Sequence, residues 1–529
     1  MRLFDILGKS AMVCPDHKAV IHLDRRINYR DLYEASLKVA DFLNDLNLTK
    51  GARIGILYEN SIEYLITYFG VFGAGLVAVP IDTSLKPEKM ADILSDCQAE
   101  VLICQSRYEQ YLNKILSINS SVKCVITDRK PEKCSATIRM EAMSDILEKS
   151  SIIIPPNDYG NLMDETPSLQ YDLKKEAAEA PHELAAIFYT SGSTGSSKGV
   201  MLSHRNLISN TIATTEYLKL SSADSVIVIL PFYYIYGNSL LLTHILAGGT
   251  LVIDDRFMYP ELILDTMEKE RVTGFSGVPS NFMILLNNST LTSRKLDQLH
   301  YFTQAGGAMA PEVIKRLMNS FPHKDIYIMY GQTEASPRVS YLPPERLKDK
   351  IGSIGIPVPG VNIRIVNDDN DEMPLGEVGE IAVAGDNVML GYWNQPDEEK
   401  LVLRDGWLLT GDLARKDFEG YYYVVGRKKE IIKVGGNRVS AKEVEECILE
   451  NEKVAEATVF GVKDDILGEA IKAVVVPKDG ITVDRNEIRS FCKAKLSDYK
   501  VPKHVEFASS LPKYKSGKVN KLELMNRDV

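Results

Sequence analysis

Residues 190–199, TSGSTGSSKG, carry a single charge, Lys198, among glycines and hydroxyls. Thr190, Ser191, Gly192, Ser193, Thr194 and Gly195 offer almost nothing to a core. Successive backbone N–H groups in such a turn, helped by hydroxyls and one ammonium, form a concave anion site suited to a polyphosphate. The Walker A pattern fails here: counted from Gly192, the second glycine position is Ser197, and Lys198 is followed by Gly199 where Ser or Thr is required. A flexible linker shares this composition. The flanks favour the phosphate reading, because the apolar run LAAIFY precedes the loop and SHRNLISNTIATTEYL follows it as a helix that Ser203 can cap.

These residues need a scaffold, and the rest of the chain supplies its outline. Its 529 residues correspond to roughly three to four domain-sized units. Helical spacing over 29–48 alternates with short apolar runs (ARIGILYE, VAVPID, AEVLICQ, SVIVILP, GTLVID, DIYIMYG), the pattern of an α/β protein. Charged, proline-containing sequence from about 128 to 182 reads as a surface excursion. Beyond GRKK at 426–429 the organisation changes to short strands and two helices, SAKEVEECILEN and DRNEIRSFCKAKL, with Ser440 and Glu443 matching a capping box. The expected fold is therefore a large multi-subdomain α/β N-terminal domain, residues 1–426, followed by a small α+β domain, residues 427–529.

With 45% hydrophobic and 25% charged residues, the composition is that of an ordinary soluble enzyme. A net charge of −10 provides no basic footprint and argues against nucleic acid as a partner. Seven cysteines without a CxxC pair argue against a disulfide frame or structural zinc and fit a reducing, cytoplasmic setting. No transmembrane segment is expected, because the longest apolar stretch, 65–81, falls short of a span and is broken by Thr, Gly and Pro.

Five motifs in one order carry a resemblance. YTSGSTGSSKGV (189–200), YGQTE (330–334), TGD (410–412), GRKKEIIKVGG (426–436) and PKYKSGKVNK (512–521) resemble the signatures of the superfamily of AMP-forming acyl-CoA synthetases, adenylation domains and luciferases. The resemblance implies an ATP-dependent ligase that converts a carboxylic acid to acyl-AMP, releases pyrophosphate and passes the acyl group to a pantetheine thiol. It implies that the 190–195 loop and Lys198 hold the β- and γ-phosphates. Tyr330 would stack on adenine, and Gly306 and Gly307 would lie along the nucleotide. Thr333 would bond the α-phosphate, and Glu334 would hold Mg²⁺. Asp412 and Arg427 would serve the ribose region. Lys518 would sit between the substrate carboxylate and the α-phosphate, bringing a positive charge to two anions that must meet. Rotation of the small domain about Lys429 would then exchange Lys518 for Gly435, which would line a pantetheine channel.

By the same resemblance LPFYYIYGNS (230–239) lies beside the acyl pocket, with Tyr233, Tyr234 and Val278 in its wall. The stretch contains no acid to pair with an α-ammonium, which favours an acid without an α-amino group. No carrier domain follows Lys518 in the sequence, so coenzyme A or a carrier protein's phosphopantetheine is expected to arrive in trans. Three alternatives are a stand-alone adenylation enzyme loading an amino or aryl acid on a carrier, a luciferase-like oxidase and a non-catalytic nucleotide-binding homologue.

Overall fold

The computed structural model describes residues 1–119, 121–129, 138–149, 173–191, 197–464, 466–478, 480–513 and 519–525. Two large sheets organise the N-terminal lobe. One runs, in spatial order, Gly391–Tyr392, Ser197–Ser203, Leu184–Ser191, Val77–Pro80, Arg53–Leu57, Val101–Cys104, Cys124–Thr127 and Arg139–Ala142. The other runs Ile356–Pro357, Arg338–Leu342, Asp325–Gly331, Tyr301–Gln304, Gly274–Gly277, Ser225–Val228, Thr250–Ile253, Lys18–His22 and Arg25–Asn28. The central strands are parallel, and runs such as VLIC and TLVI are buried at every position, as sheets covered on both faces require.

One continuous apolar core joins both sheets to the helices Tyr29–Asp45, Ile62–Gly73, His204–Leu218 and Ile235–Ala247. The helix Ile62–Gly73 is buried at Ile62 and from Tyr64 through Phe72, and its start is fixed by Ser61, whose hydroxyl accepts from the Tyr64 N–H. Gly70 lets it approach its neighbour: a Cβ there would lie 2.7 Å from Val39 Cβ.

The phosphate-loop candidate does not run from a strand into a helix. Leu184–Ser191 and Ser197–Ser203 pair antiparallel, with Thr190 opposite Lys198 and Ser191 opposite Ser197, so the loop joins the two arms of a hairpin. The expected helix begins only after the second arm, with Ser203 capping it. SKGVMLS reads as part of the loop because of its Ser, Lys and Gly, yet pairing along LAAIFYTS draws it into the sheet. Within the expected excursion, Arg139–Ala142 pairs parallel with Cys124–Thr127 as an edge strand and the short helix Met143–Lys149 follows. At Ser440 only the forward half of the capping box forms, the Glu443 N–H donating to Ser440 Oγ at 3.3 Å.

A third sheet, Val361–Val366, Gly379–Gly385, Trp407–Lys416 and Leu403–Arg404 with Tyr422–Arg427 added, leads to the C-terminal lobe. After the turn Lys428–Glu430 the chain enters a separate sheet of Asn437–Ser440, Ile431–Val434, Gly468–Pro477, Val454–Asp464 and His504–Phe507. That sheet and the helices Ala441–Leu449 and Arg485–Lys495 share a core of their own. The observed architecture is the expected one, a large α/β lobe and a smaller α+β lobe.

Candidate active site

In open parallel sheets, ligands meet the carboxyl ends of the strands. Here Ser225–Val228, Gly274–Gly277, Tyr301–Gln304 and Asp325–Gly331 lie side by side and end toward Tyr233, Val278, Gly306 and Tyr330 respectively. Gln304 Nε2 donates to Gly307 O at 2.8 Å and braces the glycine turn. Gly306 has φ +84°, and a Cβ on it would come 3.0 Å from Val278 Cγ1, so the nucleotide turn and the expected pocket wall touch. Next to them, Gly331 packs on the backbone of Pro337, which leaves no room for a side chain and fixes where Thr333 and Glu334 begin their turn.

Asp412 gathers the nucleotide-binding candidates. It is buried, its Oδ2 accepts from Tyr330 Oη at 2.7 Å, and its Oδ1 accepts from Arg427 Nε at 2.9 Å. Asp412 and Arg427 are direct cross-strand partners, which sets this contact from the backbone outward. The Asp412 charge raises the Arg427 pKa, while burial and then Asp412 push the Tyr330 phenol well above its usual range. The next residue, Lys428, reaches Glu380 at 3.0 Å and Asp368 at 2.6 Å, so the joint between lobes is tied by charge to the third sheet.

A second cluster lies around Lys198. Its Nζ is 2.5 Å from Glu398 Oε2 and sits over the Tyr392 ring, 4.9 Å from the centroid. Tyr392 Oη donates to Glu334 Oε1 at 2.9 Å, bringing the expected metal carboxylate and the phosphate lysine to one aromatic residue. Neither Tyr392 nor Glu398 was singled out in the sequence. Glu398 lies 200 residues from Lys198, and GYWNQPDEE offers only a turn and a charged helix start. Among the described residues no group of three or more His, Cys, Asp or Glu is arranged to hold a metal.

In the aromatic segment, Tyr233 is buried and Tyr234 half-buried, with ring centroids 4.9 Å apart. The segment lacks acids, but the fold supplies two from other strand ends. Tyr234 Oη donates to Asp82 Oδ2 at 2.8 Å. Thr83 Oγ1 lies 3.3 Å from Tyr233 Oη and donates to Glu59. In the C-terminal lobe, Lys429 is exposed, and Gly435 and Gly436, with φ +55° and +85°, form the two-residue turn between Val434 and Asn437. Thr190 is half-buried at the end of its strand, beside Ser191. Gly192, Ser193, Thr194, Gly195 and Lys518 lie outside the described residues, though Lys513 and Val519 bridge on either side of Lys518.

Site candidates gathered at the strand ends of a large α/β lobe, with a charged joint to a small second lobe, match the architecture of an adenylate-forming enzyme. The pattern of the AMP-binding enzyme family matches residues 7–393, and that of the AMP-binding enzyme C-terminal domain matches 443–518. The chain is 32% identical to the long-chain-fatty-acid–CoA ligase of Salmonella typhimurium, over 99% of this chain and 94% of that relative. It is also 32% identical to the feruloyl-CoA synthase of an Amycolatopsis species, over 98% and 97%. The crystal structure of ATP-bound MatB from Rhodopseudomonas palustris matches with a TM-score of 0.84 and 28% identity, covering 100% of this chain and 99% of that one. The chain belongs to the AMP-binding enzyme family and is an AMP-forming acid–thiol ligase.

Proposed function

We propose that the enzyme converts a carboxylic acid and ATP to acyl-AMP and pyrophosphate, then transfers the acyl group to the thiol of coenzyme A. The observation that carries this reading is Asp412, which ties Tyr330 at the crevice to Arg427 at the joint between lobes. Each carboxylate oxygen keeps a further lone pair, so Asp412 can accept the ribose hydroxyls while holding both partners. Lys198 and the 190–195 loop would neutralise the outer phosphates, and Thr333 would donate to the α-phosphate. Glu334 would hold Mg²⁺, whose chemistry here is to offset phosphate charge as the carboxylate attacks.

Lys518 would supply the remaining positive charge at the reacting oxygens. The rotating unit is then 427–529, with its hinge at Lys429 in the turn between two sheets. Gly435, exposed at a hairpin tip, would replace Lys518 for the thiol step. Free thiols at Cys14, Cys97, Cys104, Cys124, Cys447 and Cys492 support a reducing cytoplasm. Among the described residues no helix is long and apolar enough to cross a membrane.

The test is acid-dependent pyrophosphate release across aliphatic, aryl and amino acids, with coenzyme A or a phosphopantetheinyl carrier protein as acceptor. The named relatives' acids, long-chain fatty and feruloyl, set the ends of that panel. Thioester formation on coenzyme A is expected. Failure of every acid in the panel to elicit AMP and pyrophosphate would refute the reading, and turnover only with the carrier would reassign the acceptor.

A further inference from the structure

Tyr392 holds two charges of opposite sign that the sequence places far apart. It occupies the strand Gly391–Tyr392, which pairs antiparallel with Val200 and Met201. Lys198 is two residues before Val200, so its side chain emerges on the same face of the strand as the residue opposite Tyr392. The result is an ammonium over the ring at 4.9 Å and a phenol hydroxyl donating to Glu334 Oε1 at 2.9 Å.

The neighbours of Tyr392 fix its place independently of these contacts. Leu390 N–H donates to Met201 O at 2.9 Å, Trp393 N–H to Gly199 O at 2.7 Å, and Trp393 Nε1 to Asp96 O at 2.9 Å. Gly391 fits so closely beside Glu399 that a Cβ would lie 2.1 Å from its carboxylate. The tyrosine is 6% exposed.

We propose that Tyr392 is a positioning residue for adenylate formation: its hydroxyl orients the metal-binding carboxylate of Glu334, and its ring face orients the triphosphate-binding ammonium of Lys198. This rests on the roles given to Glu334 and Lys198 above. A cation held against an aromatic face and a carboxylate held by a phenol both lose freedom before ATP arrives, so less ordering remains when it binds.

The experiment measures Mn²⁺ binding to the enzyme–ATP complex by electron paramagnetic resonance, without acid, beside Mg²⁺ titrations of ATP–pyrophosphate exchange. Tyr392→Phe retains the ring and is expected to weaken metal affinity by about tenfold, the scale for removing a hydrogen bond behind a metal ligand. The KM for the acid should stay unchanged. Tyr392→Leu should add a rise in the KM for ATP, and a Tyr392→Phe/Glu334→Gln double variant should bind Mn²⁺ no worse than Glu334→Gln alone. Melting temperatures within about one or two degrees of wild type show that the fold is retained. Unchanged Mn²⁺ affinity in Tyr392→Phe, with Glu334→Gln weakened, overturns the proposal and leaves the proposed function standing. Unchanged affinity in Glu334→Gln refutes the metal role of Glu334, and the role of Tyr392 falls with it.

Discussion

The two lobes hold their candidate residues in opposite ways. In the N-terminal lobe Asp412 is buried and holds Tyr330, while Tyr392 holds Glu334 through its hydroxyl and Lys198 against its ring. In the C-terminal lobe Lys429 and Gly435 lie on exposed turns, away from the core of that lobe. The difference fits a division of labour. Groups that serve the nucleotide in both half-reactions gain from being held in advance, whereas groups that serve one half-reaction must be able to leave.

The sharpest break in this comparison comes from Lys518→Ala. Losing a positive charge aimed at the reacting oxygens should lower acid-dependent ATP–pyrophosphate exchange by about a hundredfold or more. Thioester formation from supplied acyl-AMP should survive. Gly435→Val should give the reverse, with Gly436→Ala separating the strain of a positive φ from a blocked channel. Equal loss of both half-reactions in the Lys518 and Gly435 variants would refute the exchange of faces.

Acid should separate the lobes through histidine. His204 and His244 are buried in the N-terminal lobe, where burial holds their pKa values down to about 4, and His204 Nδ1 accepts from the Leu3 N–H. The unfolded chain binds protons near 6.5 while the folded lobe stays neutral to about 4. Stability from this source is therefore full above pH 6.5 and is lost as pH falls toward 4, on the order of 2–3 kcal/mol per histidine. His504, the histidine of the C-terminal lobe, is exposed. Protection from hydrogen exchange, taken relative to the intrinsic rate at each pH, should fall more between pH 7 and 4.5 in Ile235–Ala247 than in Ala441–Leu449, and an equal fall would contradict this assignment.

Asp412→Asn probes the shared ground. Replacing a charged acceptor of two hydrogen bonds should raise the KM for ATP by roughly tenfold to a hundredfold, and it should impair both half-reactions. An effect confined to one step would move Asp412 out of the nucleotide site.

Much of this was legible because the chemistry is local. YGQTE and GRKK place a charged group beside a strand end or turn, TGD places one after a positive-φ glycine within the strand Trp407–Lys416, and the helices at 29–45 and 204–218 show their caps and periodicity in the residues themselves. What escaped depended on strand pairing that composition does not show. The hairpin around the 192–196 loop requires SKGVMLS to be drawn against LAAIFYTS, and composition alone reads its first residues as loop. Tyr392 and Glu398 reach Lys198 only because Gly391–Tyr392 adds to the edge of that hairpin. Asp82 and Glu59 approach the aromatic segment from separate strand ends, so its lack of acids did not mean a pocket without them.

The smallest expected effect concerns Glu398. Its carboxylate occupies Lys198, and contact with that ammonium, with a further contribution from Lys429, lowers its pKa. If Lys198 is the cation for the triphosphate, as proposed, an incoming nucleotide must displace an anion already present. The same carboxylate lies within electrostatic reach of Lys429, the proposed hinge residue. Glu398→Gln removes the competitor and should tighten ATP binding by about twofold to fivefold, the range for an exposed ion pair. The gain should shrink as salt screens the pair in the parent enzyme. Titration calorimetry with ATP at low and high salt measures both. Weaker ATP binding in Glu398→Gln would instead make Glu398 a support for Lys198, and the first lobe's cluster would then be as fixed as Asp412.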